Sequence, residues 1–157
     1  MKITGKGLVV LLSLILGNAA HAACRVTTTA VDFGIYDVFA AVPRDSTGTV
    51  TVACDRNTQT RERTNVNISI GPSPTSGRFN PRQMRRTSVT DRLNYNLYTS
   101  PSMSTVWGDG SAGTSIVILR RVSRRRPAVT TIYGRIPPRQ NVSVGAYSDT
   151  VTVTITP

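Results

Sequence analysis

Few residues in this sequence are equipped for catalysis. General acid–base chemistry most often uses His, a tuned carboxyl group or Lys, and the chain has one histidine, His21, and two lysines, Lys2 and Lys6. All three lie in a segment that has the pattern of a signal peptide, so the mature chain is expected to lack them. Among the acids, Glu62 stands between two arginines, which is typical of a solvated ion pair.

Two carboxylates acting together are a further candidate for chemistry. Such a pair hydrolyses glycosidic bonds when its members flank the bond, but nothing in the sequence places Asp91 beside Asp109. A nucleophilic Ser or Cys needs a neighbouring base, and the mature chain offers neither His nor Lys. We therefore expect a protein that is not an enzyme and that uses no cofactor.

Cys24 and Cys54 have a different chemistry. In an exported protein an isolated pair of cysteines is typical of one disulfide, which here closes a loop of about 30 residues and contributes on the order of 3 to 4 kcal/mol. A metal site is the competing interpretation, but the mature chain has no His and no CxxC pair to complete it. Lipidation of Cys24 is another alternative, although His21 stands where lipoprotein signals usually have Leu.

Arginine dominates the charge of this chain, whose formal net charge is +11. The densest cluster lies near the end of a predicted strand and consists of Arg120, Arg121, Arg124, Arg125 and Arg126. Such a run is usually a solvated surface that favours solubility, and the alternative is a contact patch for a polyanion. Residues 116–128 contain no aromatic side chain that could stack on bases, which disfavours specific nucleic-acid binding.

Residues 1–22 have the pattern of a secretory signal peptide. Two lysines form the basic start, residues 7–16 are apolar, and Ala-His-Ala at 20–22 is the cleavage site. The apolar segment is only about half of the roughly 20 residues needed to span a bilayer, so no transmembrane segment is expected in the mature chain. Residues 23–157 are then expected to form one domain.

Short segments rich in Val, Ile, Thr and Tyr dominate this domain, and their alternating polarity is typical of half-buried strands. Turn-forming stretches rich in Gly, Pro and Ser separate them. The predicted strands are 26–35, 47–54, 65–70, 93–99, 115–122, 129–136 and 147–155. Six to seven strands tied by one disulfide predict an all-β fold, an antiparallel β-sandwich of immunoglobulin-like type.

Strand alternation also predicts which side chains are buried. In the segment 93–99 it directs the apolar residues inward and Asn94, Asn96 and Tyr98 outward. The single tryptophan, Trp107, is expected to cover one end of the sandwich beside a turn that contains Asp109. In the last strand Val151, Val153 and Ile155 lie on one face, which is therefore predicted to pack against the core.

A series of short motifs occurs in order after the first cysteine. They are FGIYD at 33–37, GTVTVAC at 48–54, RQM at 82–84, LNYNLYTS at 93–100, VWGDG at 106–110, YGRIP at 133–137 with Gln140, and GAYSDTVTV at 145–153. Together they resemble the spore coat protein U domain family, which includes the subunits of archaic chaperone-usher pili of Gram-negative bacteria.

The resemblance implies an incomplete immunoglobulin-like sandwich that lacks its last strand. In that family a periplasmic chaperone lends a strand to the open groove, and the N-terminal extension of a neighbouring pilin subunit replaces it in the fibre, which is β-augmentation. The family disulfide corresponds to Cys24 and Cys54. The candidate residues for the interface with the chaperone or a neighbouring subunit are Gly145, Tyr147, Val151, Val153 and Ile155.

The leading hypothesis is a structural subunit of an extracellular pilus or coat, exported through the periplasm to the cell surface with the help of a chaperone and an outer-membrane usher. Cleavage after Ala22 would leave only Ala23 before Cys24, too little for a donor strand, which predicts a terminal subunit. Many family members end on an aromatic residue that anchors the chaperone, where this chain has Ile155-Thr156-Pro157. The alternative hypothesis is a self-contained secreted binding module that attaches to anionic surface or matrix polymers through its arginines.

Overall fold

The computed structural model describes residues 24–55, 64–86 and 90–157. In these ranges the chain forms nine β-strands and no helix, so none of the described residues belongs to a helix that could cross a membrane. The strands are β1 Cys24–Thr29, β2 Arg44–Cys54, β3 Thr64–Ile70, β4 Arg82–Arg86, β5 Arg92–Tyr98, β6 Val117–Val122, β7 Ala128–Ile136, β8 Tyr147–Ser148 and β9 Val153–Thr156. The predicted signal peptide and Glu62 lie outside the described residues.

The described strands form two antiparallel sheets. The larger sheet has six strands in the order β1-β2-β7-β5-β4-β8, and the smaller sheet has three in the order β6-β3-β9. The longest ladder joins β2 to β7 and runs from Arg44 opposite Ile136 to Val52 opposite Ala128. This architecture confirms the all-β, immunoglobulin-like antiparallel sandwich predicted from the sequence.

Three strands differ from the sequence prediction for physical reasons. β1 ends at Thr29, so residues 30–35 leave the ladder instead of continuing the strand. β4 is missing from the prediction because its arginines hide the alternation of apolar residues that marks a strand. The last predicted strand, 147–155, is divided into β8 and β9 because the chain leaves one sheet and joins the other at residues 149–152.

The core is built from the inward faces of both sheets. Its fully buried aliphatic residues are Val50, Val52, Val66, Ile68, Ile70, Val122 and Ile136. Cys54 ends β2 inside this core, and the structure contains the disulfide that joins it to Cys24. Since the two cysteines face each other in the β1–β2 register, the disulfide fastens the edge strand β1 to its neighbour within one sheet.

Trp107 lies fully buried inside the sandwich. Its indole Nε1 donates a hydrogen bond of 3.0 Å to the carbonyl oxygen of Ile68, which joins the segment after β5 to the smaller sheet. In the turn that follows, the Asp109 carboxylate accepts hydrogen bonds from the backbone N and the Oγ of Ser111 at 2.9 and 2.6 Å. Trp107 and Asp109 therefore have structural roles, as the sequence predicts.

Arg82 carries a positive charge into the core, where its side chain is fully buried. Its guanidinium donates hydrogen bonds to the carbonyl oxygens of Gly71 at 2.9 Å and Trp107 at 2.8 Å, and to Oδ1 of Asn96 at 3.0 Å. The ring of Phe79 lies 5.6 Å from the guanidinium carbon, within the range of a cation–π contact. Burial lowers the pKa of Arg82, but arginine stays protonated in proteins, so these neutral oxygens must stabilise a full charge.

Asn96 is buried, so the prediction that it points outward is wrong. Its Oδ1 accepts hydrogen bonds from Arg82 and from the backbone N of Leu97, both at 3.0 Å, and its Nδ2 donates to Oδ1 of Asn80 at 2.9 Å. The prediction fails because a buried arginine requires acceptors around it, and strand alternation contains no information about that requirement.

Replacement of Arg82 by Met tests this network, because it keeps an extended side chain and removes the donors. The carbonyl oxygens of Gly71 and Trp107 would lose a buried partner at a cost of about 1 to 3 kcal/mol each, so we expect the free energy of unfolding to fall by roughly 3 kcal/mol. Urea unfolding followed by Trp107 fluorescence measures the change. Wild type and variant are compared either both alone or both bound to the same partner. Arg78→Met, at an exposed arginine, is the control and should change the free energy by less than about 0.5 kcal/mol.

Candidate functional site

An open groove runs along the sandwich between two segments of the chain. One wall is formed by residues 28–39 and the other by residues 142–153. The groove has two adjoining parts, with volumes of about 560 and 900 Å³. Both parts are lined by Phe33 from the first wall and by Tyr147 from the second, so the two parts lie side by side.

The floor of the groove is the hydrophobic core itself. It is formed by side chains from both sheets, namely Ile70, Met84, Leu93, Tyr95, Leu97, Ile132 and Ile136. In a complete sandwich the strands of the two sheets cover such residues on all sides. The groove is therefore the shape expected where a sandwich lacks one strand.

The C-terminal wall passes from one sheet to the other. β8 pairs with β4 at the edge of the larger sheet, and β9 pairs with β3 at the edge of the smaller sheet. Between them the backbone N of Gly71 donates a hydrogen bond of 2.8 Å to the carbonyl oxygen of Thr152. Because β9 has a ladder partner on one side only among the described strands, its other backbone edge is open to pairing.

The structure brings four of the five predicted interface residues to this groove. Val151 and Val153 line the smaller part and pack against the core, while the threonines between and beside them are exposed. Tyr147 lines both parts, and Gly145 lines the larger one. Ile155 also packs against the core, but farther along β9 and outside the groove lining.

The N-terminal wall packs tightly against β7. A Cβ atom at Gly134 would lie 2.6 Å from Val31 and 2.8 Å from the ring of Phe33, so the wall approaches this closely only because residue 134 is glycine. Phe33 packs edge to face against Tyr95 of the floor, with ring centroids 6.2 Å apart. Nε of Arg44 donates a hydrogen bond of 2.7 Å to the carbonyl oxygen of Phe33 and holds this wall from the other side.

A hydrogen bond ties the floor of the groove to its C-terminal wall. The hydroxyl of Tyr95 donates to Oδ2 of Asp149 at 2.7 Å, where the chain leaves the larger sheet. Burial, together with the neighbouring carboxylate, raises the pKa of Tyr95, so its hydroxyl stays protonated and remains a donor at neutral pH. This bond fixes the point at which the wall changes sheets.

Asp91 anchors the loop that leads into β8. Its Oδ2 accepts a hydrogen bond of 3.1 Å from the backbone N of Ser143 and lies 3.3 Å from the Tyr147 hydroxyl. The hydrogen bonds with Ser143, and to a smaller extent that with Tyr147, lower the pKa of Asp91. Since the folded pKa lies below that of the unfolded chain, the anchor is fully present above the ordinary aspartate pKa of about 4 and is lost as the pH falls through the folded value.

Exposed apolar side chains form the rim of the larger part of the groove. Ile35, Phe39 and Val144 are 89%, 88% and 94% exposed, and all three are among its lining residues. Apolar side chains gathered around an apolar groove are typical of a surface that contacts another protein. The rim therefore extends the candidate site beyond the groove itself.

The carboxylates of the described residues serve turns and ion pairs. Each described aspartate accepts a hydrogen bond from another residue: Asp32, Asp37, Asp45, Asp55, Asp91, Asp109 and Asp149. Asp91 anchors the loop before β8, whereas Asp109 closes the turn after Trp107. Within the described ranges no three potential metal ligands of the His, Cys, Asp or Glu type come together.

The predicted arginine patch lies at the end of β6 and on the tight turn closed by Ser123 and Arg126 that leads to β7; we call this segment the arginine hairpin, and it is not part of the groove lining. Its five residues, Arg120, Arg121, Arg124, Arg125 and Arg126, are all exposed. The groove and the arginine hairpin are therefore two separate surfaces.

Sequence reasoning missed the N-terminal wall and most of the floor. The segment 26–35 is predicted as one continuous strand, and its alternation gives no sign that the chain leaves the sheet after Thr29 to form a wall. Met84 and Ile70 belong to different sheets, so only their packing brings them to one floor. The glycine at position 134 is the one sign of this wall in the sequence. Its meaning becomes clear only when the segment that packs against it, residues 31–33, is known.

Comparison with known proteins identifies relatives by sequence. The family model described as Spore Coat Protein U domain matches residues 11–154. Protein U of Myxococcus xanthus is 40% identical over 75 residues, which make up 48% of this chain and 40% of Protein U. The match therefore spans less than half the length of that relative.

Comparison with solved structures finds matches among pilus subunits. A chain of the CsuC–CsuE chaperone–tip adhesion subunit pre-assembly complex, from archaic chaperone-usher Csu pili of Acinetobacter baumannii, matches with a TM-score of 0.57 and 22% identity over 86% of this chain and 39% of that chain. The minor tip subunit HdaB of the E. coli Hda pilus matches with a TM-score of 0.43 and 12% identity over 83% of this chain and 79% of that chain. At this identity the first match shows a shared fold.

Replacement of Asp91 by Ala tests how the C-terminal wall is held. The variant removes the acceptor for Ser143 and Tyr147, and we expect amide hydrogen exchange in residues 142–148 to become faster by about tenfold. Asp109→Ala is the matched control, because it removes a turn-closing acid outside the groove and should leave exchange in residues 142–148 unchanged. Equal exchange in wild type and Asp91→Ala would show that Asp91 does not anchor this wall.

Proposed function

Because this chain belongs to the Spore Coat Protein U domain family, we propose that it is a structural subunit of a pilus or coat outside the cell, and that a strand from another polypeptide completes its fold. The observation that carries this proposal is the groove, which opens the core of both sheets beside the unpaired edge of β9. The apolar floor and the open backbone edge lie next to each other, so one added strand would cover the floor and pair with the edge.

The energetics favour filling the groove. Apolar surface removed from water contributes roughly 25 cal/mol per Å², and an incoming strand would cover the exposed apolar side chains of the rim, Ile35, Phe39 and Val144. An incoming strand would pair its N–H and C=O groups with β9 and direct every second side chain into the groove. A donor segment with alternating apolar residues fits both requirements.

Individual residues have distinct roles in this proposal. The backbone of β9 supplies the pairing edge, and Val151 and Val153 separate the incoming side chains on the C-terminal wall. Tyr95 and Asp149 keep that wall in position through their hydrogen bond of 2.7 Å. The exposed rim around Phe39 and Val144 contacts the body of the partner that supplies the strand.

The proposed partners are a periplasmic chaperone, an outer-membrane usher and neighbouring subunits. The Csu structure contains, by its description, a chaperone bound to a tip adhesion subunit before assembly, and the family resemblance extends that arrangement to this chain. The route is export to the periplasm and then assembly at the cell surface. The signal peptide at 1–22, the domain at 23–157 and the terminal position in a fibre stay predictions.

The proposed role requires no catalysis. The described aspartates are engaged in turns and ion pairs, and the groove is lined mainly by apolar side chains. Its chemistry is that of backbone pairing and apolar contact.

Periplasmic expression with and without a chaperone from the same genome tests whether the fold needs a partner. Expressed alone, the chain should be degraded or aggregate, because its apolar groove stays unfilled and the edge of β9 stays unpaired. Co-expressed, it should be recovered as a 1:1 complex, measured by size-exclusion chromatography with light scattering. A stable monomer that unfolds cooperatively without any partner would contradict the proposal.

Substitutions on β9 test which face of the strand receives the partner. Val153→Asp places a charge on the groove side, and we expect at least a tenfold loss of the chaperone complex, about 1.4 kcal/mol. Thr154→Asp introduces the same charge on the exposed face of the same strand and should leave the yield of complex within about twofold. Equal yields for both variants would place the partner somewhere other than this groove.

A further inference from the structure

The hairpin between β6 and β7 has a backbone irregularity that turns two arginines outward together. In the β3–β6 ladder Thr64 faces Val122 and Val66 faces Leu119, so Arg120 and Arg121 oppose one residue of β3, which is a β-bulge. Without the bulge, alternation would turn one of these two arginines toward the core. With it, both are exposed while Val122 stays buried.

The bulge stores backbone strain at Arg121. Its φ is +57°, in the left-handed region that non-glycine residues adopt only with backbone strain. The backbone N of Arg121 donates a hydrogen bond of 3.1 Å to Oδ1 of Asn65, which holds the bulge against β3. The bulge thus keeps the side chain of Arg121 outside the core in a backbone conformation that favours glycine.

Backbone hydrogen bonds close the turn that follows β6. Ser123 and Arg126 close it with two backbone hydrogen bonds, at 3.2 and 3.1 Å, so Arg124 and Arg125 form its tip. Arg124 forms an ion pair of 2.7 Å with Asp55, beside the disulfide-bonded end of β2. Five exposed arginines thus project from a backbone that is fixed on both sides.

The charge of this hairpin is largely uncompensated among the described residues. Asp55 is the one acid in these ranges that pairs with it, and residues 116–128 contain no acid of their own. Five guanidinium groups face one carboxylate, and such a concentration of one sign attracts anions from solution. Arginine presents a planar fork of donors that matches carboxylate and sulfate groups.

The hairpin favours an acidic polysaccharide over other polyanions. Bases of a single-stranded nucleic acid would need aromatic platforms, and residues 116–128 have none. Insertion into a membrane surface would need apolar side chains beside the charges, and the tip from Ser123 to Arg126 has none. An acidic polysaccharide presents repeated carboxylate or sulfate groups, and spaced guanidinium groups are sufficient to bind them.

We propose that the arginine hairpin, comprising Arg120, Arg121, Arg124, Arg125 and Arg126, is a binding surface for an acidic polysaccharide of the cell surface or extracellular matrix. It lies on β6, and the groove lies beside β9, which is the opposite edge of the same sheet. A subunit whose groove is filled therefore keeps this surface accessible. The two surfaces can act at the same time.

Binding of heparin and of polygalacturonate to the purified full chain, in complex with its chaperone if it is recovered so, tests the proposal. The test variant combines Arg120→Gln, Arg121→Gly and Arg125→Gln; glycine relieves the strain at 121, and the Arg124–Asp55 pair is kept. The control combines Arg78→Gln, Arg85→Gln and Arg92→Gln, three exposed arginines outside the hairpin. Both variants lose three positive charges, so an effect of net charge alone would weaken binding to the same extent in both.

We expect the Kd for both polymers at 0.15 M salt, about physiological ionic strength, to rise about tenfold or more in the hairpin variant, and by no more than about threefold in the control, because contact charges act at short range. Circular dichroism of both variants should match wild type. Equal weakening in the two variants would reduce the effect to net charge and overturn the proposal. Tighter binding to duplex DNA or to phosphatidylglycerol vesicles than to either polysaccharide would overturn the assignment of the ligand.

Discussion

A single buried guanidinium connects the main parts of this structure. Arg82 binds oxygen atoms from the end of β3, from the Trp107 segment and from β5. One of these oxygens belongs to Gly71, whose own N–H binds Thr152, so the same network fixes the place where the C-terminal wall changes sheets. Since an unsatisfied buried polar group is costly, the groove is located where the hydrogen bonds of Arg82 allow it.

The change of sheet leaves a groove beside the edge of β9, which in the proposed function receives a strand from another chain. Among the described strands β8 and β9 each pair on one side, and an apolar groove lies between them and the N-terminal wall. An apolar groove and an unpaired edge are both unfavourable in water, and a single strand of another chain relieves them together. A fold with this geometry gains stability by assembly, which suits a structural subunit better than a self-contained module.

The two surfaces of the molecule rely on different physics. The groove uses backbone pairing and apolar contact, which are short-ranged and demand a matching strand. The arginine hairpin uses charge, which acts over about 8 Å at physiological ionic strength and tolerates many anionic chains. Because β6 and β9 are opposite edges of the smaller sheet, neither surface obstructs the other.

The sequence by itself determined the fold class, because strand periodicity, turn residues and a pair of cysteines are local or compositional signals. It also identified Val151 and Val153 as one face of the last strand and Arg120 to Arg126 as a cluster. Only the tertiary structure decided that residues 30–35 leave their ladder, that Asn96 and Arg82 are buried, and that a bulge turns Arg120 and Arg121 outward together. These features depend on which segment packs against which, and contacts between distant segments leave no period in the sequence.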